Sequence, residues 1–204
     1  MRTAVVTGGG SGIGKAVGDM LIDEGWKVVD LGLENGFDVR NYALMARTFK
    51  HLESVNLLVN SAGIGSVKPF HEQTEQEWRE VIDTNLIGTM NCCHAVLPYM
   101  QDGDIINISS RSGQYGHKGL AAYCASKAAV TMFSEAVAMD LQKKRIRVAY
   151  IMPGIVNTGF AGDPLREWHI APENVAKAVL DIVGMPRRAA VGRYEIKPAF
   201  PEVT

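Results

Sequence analysis

The segment Ala4–Gly14 reads AVVTGGGSGIG and decides the fold of this chain. A short β-branched run passes directly into a glycine-rich turn, and a helical pattern starts within that turn. Glycines let such a turn adopt positive φ and let the backbone approach a pyrophosphate, which the N-terminus of the following helix stabilises. The segment therefore predicts a phosphate-binding loop in the first turn of a βαβ unit, although a glycine-rich run alone is also compatible with a flexible turn. The loop residues are Gly8, Gly10, Ser11, Gly12, Ile13 and Gly14.

Outward from this loop, short β-branched runs alternate with longer segments of helical period. The strand candidates are Ala4–Val6, Lys27–Val29, Leu57–Val59, Asp104–Ile108, Arg147–Ile151 and an edge strand over Tyr194–Pro198. The helix candidates are Ile13–Glu24, Tyr42–Leu52, Glu75–Met100, Ala121–Lys144 and Pro172–Val183. Near-continuous apolar strands indicate a sheet that is covered on both faces. The sequence thus predicts an α/β protein with a Rossmann-type, doubly wound parallel sheet flanked by helices on both faces.

Composition excludes several classes of function. The 204 residues lie within the usual size of one compact domain, so we expect a single domain over residues 1–204. The net charge of -1 gives no field that would gather nucleic acid or an anionic membrane. Met1 leads straight into a strand-like segment, and no run of about 18 apolar residues is present, which predicts a cytoplasmic protein.

Cysteines and histidines show no metal-binding pattern. The cysteines Cys92, Cys93 and Cys124 are odd in number and lack CxxC spacing, so we interpret them as small buried hydrophobes. The histidines are scattered, with no HxxxH pair and no acidic cluster beside them. We therefore expect no metal site.

A candidate catalytic group follows the fourth predicted strand. Tyr123 and Lys127 stand at positions i and i+4 of a predicted helix, so both project from one face. A phenol is a poor base at neutral pH, but a neighbouring ammonium stabilises the phenolate and lowers its pKa. Such a pair can deliver or remove the proton of a ketone or alcohol near pH 7, with Ser110 holding the substrate oxygen. A surface pair on an amphipathic helix is the alternative interpretation.

These motifs resemble the short-chain dehydrogenase/reductase family, of the classical type. The likeness covers nearly the whole chain and rests on five motifs in family order: TGxxxGxG at Thr7–Gly14, NSAG at Asn60–Gly63, the segment around Asn85, YxxxK at Tyr123–Lys127 and PG at Pro153–Gly154. The resemblance implies an NAD(P)-dependent oxidoreductase that interconverts a carbonyl and an alcohol. It also implies that the domain holds both the cofactor site and the catalytic site.

Carried over position by position, the resemblance implies a catalytic tetrad of Asn85, Ser110, Tyr123 and Lys127. In that scheme Lys127 also hydrogen-bonds the nicotinamide ribose, and Asn85 holds a water that links Lys127 to solvent. Besides the glycine-rich loop, the implied cofactor contacts are Asp38, Val39, Asn60, Ala62, Gly63, Tyr123, Lys127, Pro153, Gly154, Val156 and Thr158.

Departures from the family pattern concern the adenine end and the substrate side. Gly32 stands where a residue usually reads the adenosine ribose, so neither the NAD-selecting acid nor the NADP-selecting arginine is present there. Asp30 and Glu34 are nearby but out of register. Because Gly32 provides no carboxylate for the ribose hydroxyls of NAD, the sequence slightly favours NADP over NAD. Lys15 offers a positive charge, with a solvated surface lysine as the alternative interpretation. The stretch that covers the substrate is short. Its pocket-wall candidates are Phe160, Trp168 and His169, with a core role equally open for Trp168.

Two other functions compete with the oxidoreductase. A non-catalytic, nicotinamide-dinucleotide-binding regulator would keep the glycine-rich loop but lose the acid/base pair, which is retained here. An isomerase or dehydratase of the extended type would need a larger substrate domain than this chain contains. The partner we expect is a small carbonyl or alcohol substrate, and the resemblance implies a homodimer or homotetramer associated through the two long central helices.

Overall fold

Six parallel strands form one sheet in the computed structural model, which describes residues 1–200. In chain order they are β1 (Thr3–Thr7), β2 (Lys27–Leu31), β3 (Leu57–Asn60), β4 (Asp104–Ile108), β5 (Arg147–Pro153) and β6 (Arg193–Ile196). Across the sheet they lie in the order β2-β1-β3-β4-β5-β6, with neighbouring strands parallel. The winding therefore reverses between β1 and β3, and the doubly wound fold predicted from the sequence is confirmed. The last four residues of the predicted domain, 201–204, lie outside the described residues.

Within residues 1–200, six α-helices cover the sheet. They are α1 (Gly12–Asp23), α2 (Tyr42–Lys50), α3 (Glu75–Ile82), α4 (Gly88–Val96), α5 (Ala121–Asp140) and α6 (Pro172–Val183). Their starts follow local sequence. Thr74 and Glu77 form a reciprocal capping box at α3, Asn41 caps α2, and Pro172 occupies the first turn of α6. Within residues 1–200, no helix is both long and apolar enough to cross a membrane.

The sheet carries a hydrophobic core on each face, because successive side chains of a strand point in opposite directions. In β1, Val6 packs into a core with α1 and α6, whereas Val5 packs into a core with α2 and α4. The first core includes Leu21, Val59, Ile106, Val175 and Val179, and the second includes Phe49, Leu58, Val96, Ile105 and Val148. Each fully buried aliphatic side chain contributes about 1.5–3 kcal/mol. Both cores together hold the strand ends, and hence the site, in fixed positions.

One predicted helix, Glu75–Met100, differs in the structure. It is interrupted by a π-helical turn over Asp83–Ile87, between α3 and α4, and ends in a short 3-10 turn over Leu97–Tyr99. A π turn accommodates an extra residue in the helix and frequently occurs at functional sites. Here it contains Asn85, which is fully buried.

The other departure is at the β2 edge. β2 is the outermost strand on its side, and only its last residue is buried. After β2 the chain makes one 3-10 turn over Leu33–Asn35 and reaches α2 within a few residues. The adenine end, where the sequence departs from the family pattern, is therefore bordered by an exposed turn.

Candidate active site

Most of the predicted site residues collect at one edge of the sheet, where the carboxyl ends of the parallel strands meet. Ligands of doubly wound sheets bind at this edge, at the point where the strand order reverses, here between β1 and β3. Thr7 joins the loops after these two strands, since its hydroxyl accepts hydrogen bonds of 3.1 Å from the backbone N–H groups of Ser61 and Ala62. The glycine-rich loop is thereby fixed beside the loop that contains Gly63.

The glycine-rich loop is folded tightly between β1 and α1. Gly8 adopts a φ of +65°, and a Cβ there would lie 2.9 Å from Cα of Ala62. A Cβ on Gly14 would overlap the carbonyl oxygen of Gly8, so only glycine fits. Ser11 is the N-cap of α1, but its hydroxyl makes no capping hydrogen bond and the first turn contains no acidic residue. Ile13 anchors the helix start against the first core.

The Ser-Tyr-Lys group lies between the end of β4 and the start of α5. Tyr123 and Lys127 are one helical turn apart, with Nζ of Lys127 5.7 Å from the centroid of the Tyr123 ring. The Lys127 ammonium donates to the backbone carbonyl of Ile108, at 2.8 Å. Ser110 follows β4 in an extended conformation, and its hydroxyl accepts from the backbone N–H of Ser112 at 3.1 Å. The three predicted catalytic side chains are thus neighbours in space.

Asn85 completes this group from the π-helical turn. Its Oδ1 accepts from the backbone N–H of Ile64 at 2.8 Å, and its Nδ2 donates to the Ile64 carbonyl at 2.9 Å. Nδ2 also donates to Oγ of Ser126, at 3.0 Å. A Cβ on Gly63 would lie 3.3 Å from Oδ1 of Asn85 and 3.5 Å from Nζ of Lys127, so both side chains border the same glycine.

The pKa of Tyr123 differs from the value expected from the sequence. Burial raises the pKa of the Tyr123 phenol, and a hydrogen bond with Ser110 lowers it in part. Burial also lowers the pKa of Lys127 to about 8, because an ammonium is costly to remove from water. The i, i+4 spacing in the sequence predicts that the ammonium lowers the pKa of Tyr123. In the structure, desolvation of the phenol has the largest influence on the pKa of Tyr123, and the Lys127 ammonium donates to the Ile108 carbonyl.

The loop after β5 brings the predicted nicotinamide-side residues to the glycine-rich loop. Thr158 lies against Gly12, where a Cβ would be 3.1 Å from its Cγ2. Pro153 ends β5, and Gly154 donates its N–H to the Ile196 carbonyl at 2.7 Å. Val156 forms a parallel bridge with Ile170. The β5 loop therefore faces the start of α1 across the edge of the sheet.

The side chains of three residues predicted to contact the cofactor instead contact other residues of the protein. The Asn60 amide is buried and donates to Oδ1 of Asn107, at 2.8 Å, so its side chain points into the sheet interior. The Asp38 carboxylate is bound by the guanidinium of Arg40, which holds the pKa of Asp38 below its usual value. Val39 is buried against Gly88 of α4. The implied contacts of these residues with a cofactor stay predictions.

The pocket-wall candidates separate into two places. The Phe160 ring lies over Tyr123, with the ring centroids 5.6 Å apart, and its Cε1 would be 2.7 Å from a Cβ on Gly65. Trp168 and His169 instead contact each other edge to face, and His169 is buried. Phe160 is therefore the candidate that lies next to the predicted catalytic residues.

One residue of this group, Ser126, was not predicted from the sequence. Its hydroxyl accepts from Asn85 and donates to the Tyr123 carbonyl at 2.8 Å, so it links the π turn to the first turn of α5. A small polar residue directly before Lys127 was the only available signal, and many helices contain one on the surface. Its role depends on the position of Asn85, which the sequence does not show.

A doubly wound sheet with this loop and this Ser-Tyr-Lys group defines a Rossmann-fold oxidoreductase. The family model described as short chain dehydrogenase matches residues 36–168. A probable NADP-dependent dehydrogenase of Haemophilus influenzae is 32% identical, over 96% of this chain and 93% of the relative. An uncharacterized oxidoreductase of Staphylococcus aureus strain USA300 is also 32% identical, over 97% of each chain. This chain therefore belongs to the short-chain dehydrogenase family.

Solved structures of the same fold cover the whole chain. The ligand-free aldohexose dehydrogenase of Thermoplasma acidophilum has a TM-score of 0.88 and 27% identity, over 100% of this chain and 96% of that chain. The closed form of a serine dehydrogenase complexed with NADP+ has a TM-score of 0.86 and 27% identity, over 100% of this chain and 99% of that chain. The relatives and the solved structures thus support family membership and NAD(P)-type cofactor binding.

Proposed function

We propose that this protein is an NAD(P)-dependent oxidoreductase that interconverts a carbonyl and an alcohol, with Tyr123 as general acid and base. The observation that carries the proposal is the convergence of Asn85, Ser110, Tyr123 and Lys127 beside the glycine-rich loop. We further propose that residues 1–204 act as one domain containing both sites.

The residues around the glycine-rich loop fit a nicotinamide dinucleotide. The tight turn at Gly8 and Gly14 leaves the start of α1 without a side-chain cap, so its N–H groups are available to a pyrophosphate. Thr158 contacts this loop at Gly12, which puts the β5 loop within reach of the nicotinamide end. A nicotinamide cofactor, when bound, supplies or takes up the hydride.

During reduction, Tyr123 acts as the general acid that donates a proton to the substrate carbonyl oxygen. Its phenol is protonated at neutral pH, because burial raises a pKa that already lies well above 7, and Ser110 can hold the same oxygen. In alcohol oxidation the proton moves from the alcohol to the phenolate, which the nearby Lys127 charge favours. Asn85 fixes the turn that carries Tyr123, through Ser126.

A small, hydroxylated substrate is favoured by the surroundings of Tyr123. The Phe160 ring, 5.6 Å from the Tyr123 ring, narrows the space above the phenol. The solved neighbours named for aldohexose and for serine point to the same size and polarity. We propose Phe160 as a wall of the substrate pocket.

A turnover screen tests the proposal. Small ketones, hydroxy acids and acyl thioesters are offered with each reduced or oxidised cofactor, and nicotinamide absorbance is followed. We expect turnover that the Tyr123→Phe variant loses. If cofactor binds but no compound of these classes reacts, the proposed activity is contradicted and the non-catalytic nicotinamide-binding regulator is favoured instead.

We also propose that two or four copies associate through α4 and α5. Both helices expose methionines, with Met90 39% and Met132 63% exposed, and α4 borders an apolar groove of about 420 Å³. Light scattering at micromolar concentration should show a dimer or tetramer, and a monomer alone would contradict the proposal. The cytoplasmic location stays a prediction.

A further inference from the structure

The space beside Gly32 is filled by a carboxylate from another residue. A Cβ built on Gly32 would overlap Oε1 of Glu34, and a Cβ on Gly10 would overlap the same atom. The Glu34 carboxylate therefore lies between the glycine-rich loop and the end of β2. This is the place that a side chain at position 32 would occupy.

The 3-10 turn after β2 brings Glu34 there. The turn covers Leu33–Asn35 and closes at Gly36, whose φ of +83° is left-handed. Asn35 donates to Oδ2 of Asp30 at 3.2 Å, and the backbone N–H of Gly9 donates to Oδ1 of Asp30 at 3.0 Å. Asp30 thus ties the turn to the glycine-rich loop, and the turn aims Glu34 back at Gly10.

The nearby charges are unfavourable for the 2′-phosphate that distinguishes NADP from NAD. Burial raises the pKa of Asp30, and the negative charge of Glu34 raises it further, so two carboxylates share this corner. Lys15, which the sequence suggested as a positive charge here, and Arg40, the next basic residue after the turn, are both in ion pairs. Lys15 binds Asp19, and Arg40 binds Asp38.

We propose that Glu34 is the residue that selects the cofactor and that it favours NAD(H) over NADP(H). An acidic side chain about 20 residues beyond the glycine loop accepts hydrogen bonds from the adenosine ribose hydroxyls of NAD, and it repels a 2′-phosphate. The slight NADP preference inferred from Gly32 and Lys15 assumed that no carboxylate reached this place. This inference rests on the proposed function, because it concerns the same cofactor site.

Calorimetric titration with NADH and with NADPH, in the absence of substrate, tests the inference. The proteins are the wild type, Glu34→Gln, Glu34→Arg and the control Glu53→Gln, which removes an exposed charge at the amino end of β3. We expect the wild type to bind NADH at least about 10-fold more tightly than NADPH, because charge-assisted hydrogen bonds to the ribose are lost when phosphate is present.

In Glu34→Gln we expect NADH binding to weaken about 10-fold and NADPH binding to tighten, because the charge is removed. Glu34→Arg should bind NADPH more tightly than NADH, and Glu53→Gln should match the wild type. The inference is overturned if the wild type prefers NADPH. It is also overturned if the ratio of the Kd for NADPH to the Kd for NADH in Glu34→Gln stays within about twofold of the wild-type ratio. Binding of neither cofactor to the wild type would overturn the proposed function itself.

Discussion

The catalytic end and the adenine end of the proposed site are held in different ways. At the catalytic end, Asn85 is fully buried and Lys127 is 5% exposed, and both bond the backbone of other segments. At the adenine end, Glu34 stands in an exposed turn next to an edge strand. The first end is positioned by packing from several elements, the second by one local turn.

This difference shows where substitutions should matter. A buried polar group that loses its partner keeps the full cost of desolvation, so changes at the catalytic end should alter both activity and stability. A change in the exposed turn should alter ligand choice with little effect on stability. The four predictions that follow test this contrast.

The largest effect is expected for Tyr123→Phe. The change removes the transferred proton but keeps the ring, so kcat should fall at least about 100-fold while the Kd for the cofactor stays within about twofold. Tyr150→Phe is the matched control, since that hydroxyl bonds Glu135 at 2.7 Å, 12 residues along α5 from Tyr123. Steady-state kinetics and cofactor titration measure both quantities. A Tyr123→Phe enzyme with full kcat would contradict the assigned role.

Lys127→Met should stabilise the protein while it abolishes most activity. Burial lowers the pKa of Lys127 from 10.5 to about 8, so the folded state binds this proton less tightly than the unfolded state. That difference corresponds to about 3 kcal/mol of destabilisation of the folded state. The destabilisation is present in full below pH 8 and disappears as the pH rises towards 10.5. Loss of the hydrogen bond to Ile108 offsets about 1 kcal/mol.

The measurement is urea unfolding of both proteins at pH 7 and pH 10. At pH 7 the variant should be about 2 kcal/mol more stable, and at pH 10 the gain should be much smaller or reversed. An equal difference at both pH values would show that the Lys127 charge does not destabilise the fold.

Asn85→Ala should destabilise the fold by about 2 kcal/mol, because the backbone N–H and C=O of Ile64 lose their partners. Urea unfolding measures the loss. Asn91→Ala is the control within α4, since Asn91 donates only to carbonyls near the adenine end, at Val39 and Arg40. For Asn91→Ala we expect about half the loss in the free energy of unfolding. Equal losses would remove the contrast between the two ends.

The smallest effect is expected for Gly32→Asp. A side chain at this position meets the Glu34 carboxylate, so one carboxylate replaces another and the NADH-to-NADPH ratio of Kd should change less than about threefold. In the Glu34→Gln background the same change should restore the preference for NADH. A large shift in the wild-type background would show that Glu34 does not already fill the place of a position-32 side chain.

Much of the catalytic end could be predicted from the sequence because it depends on short-range spacing. Tyr123 and Lys127 lie on one helix, and Gly8 to Gly14 lie in one turn, so local geometry relates their positions. The π turn around Asn85 could not be predicted, since it results from packing between α3, α4 and α5. Ser126 was missed for the same reason, because its partner is 41 residues away.

The amino-acid sequence by itself determined the doubly wound fold and the identity of the tyrosine-lysine pair, because strand period, glycine positions and i, i+4 spacing act within one element or turn. Only the tertiary structure decided which carboxylate faces the adenine end and how the Tyr-Lys pair is charged. Glu34 reaches the place of a Gly32 side chain because a 3-10 turn folds back on the loop, and Tyr123 has a raised pKa because surrounding elements exclude water. Both results depend on how distant parts of the chain pack, which sequence spacing does not measure.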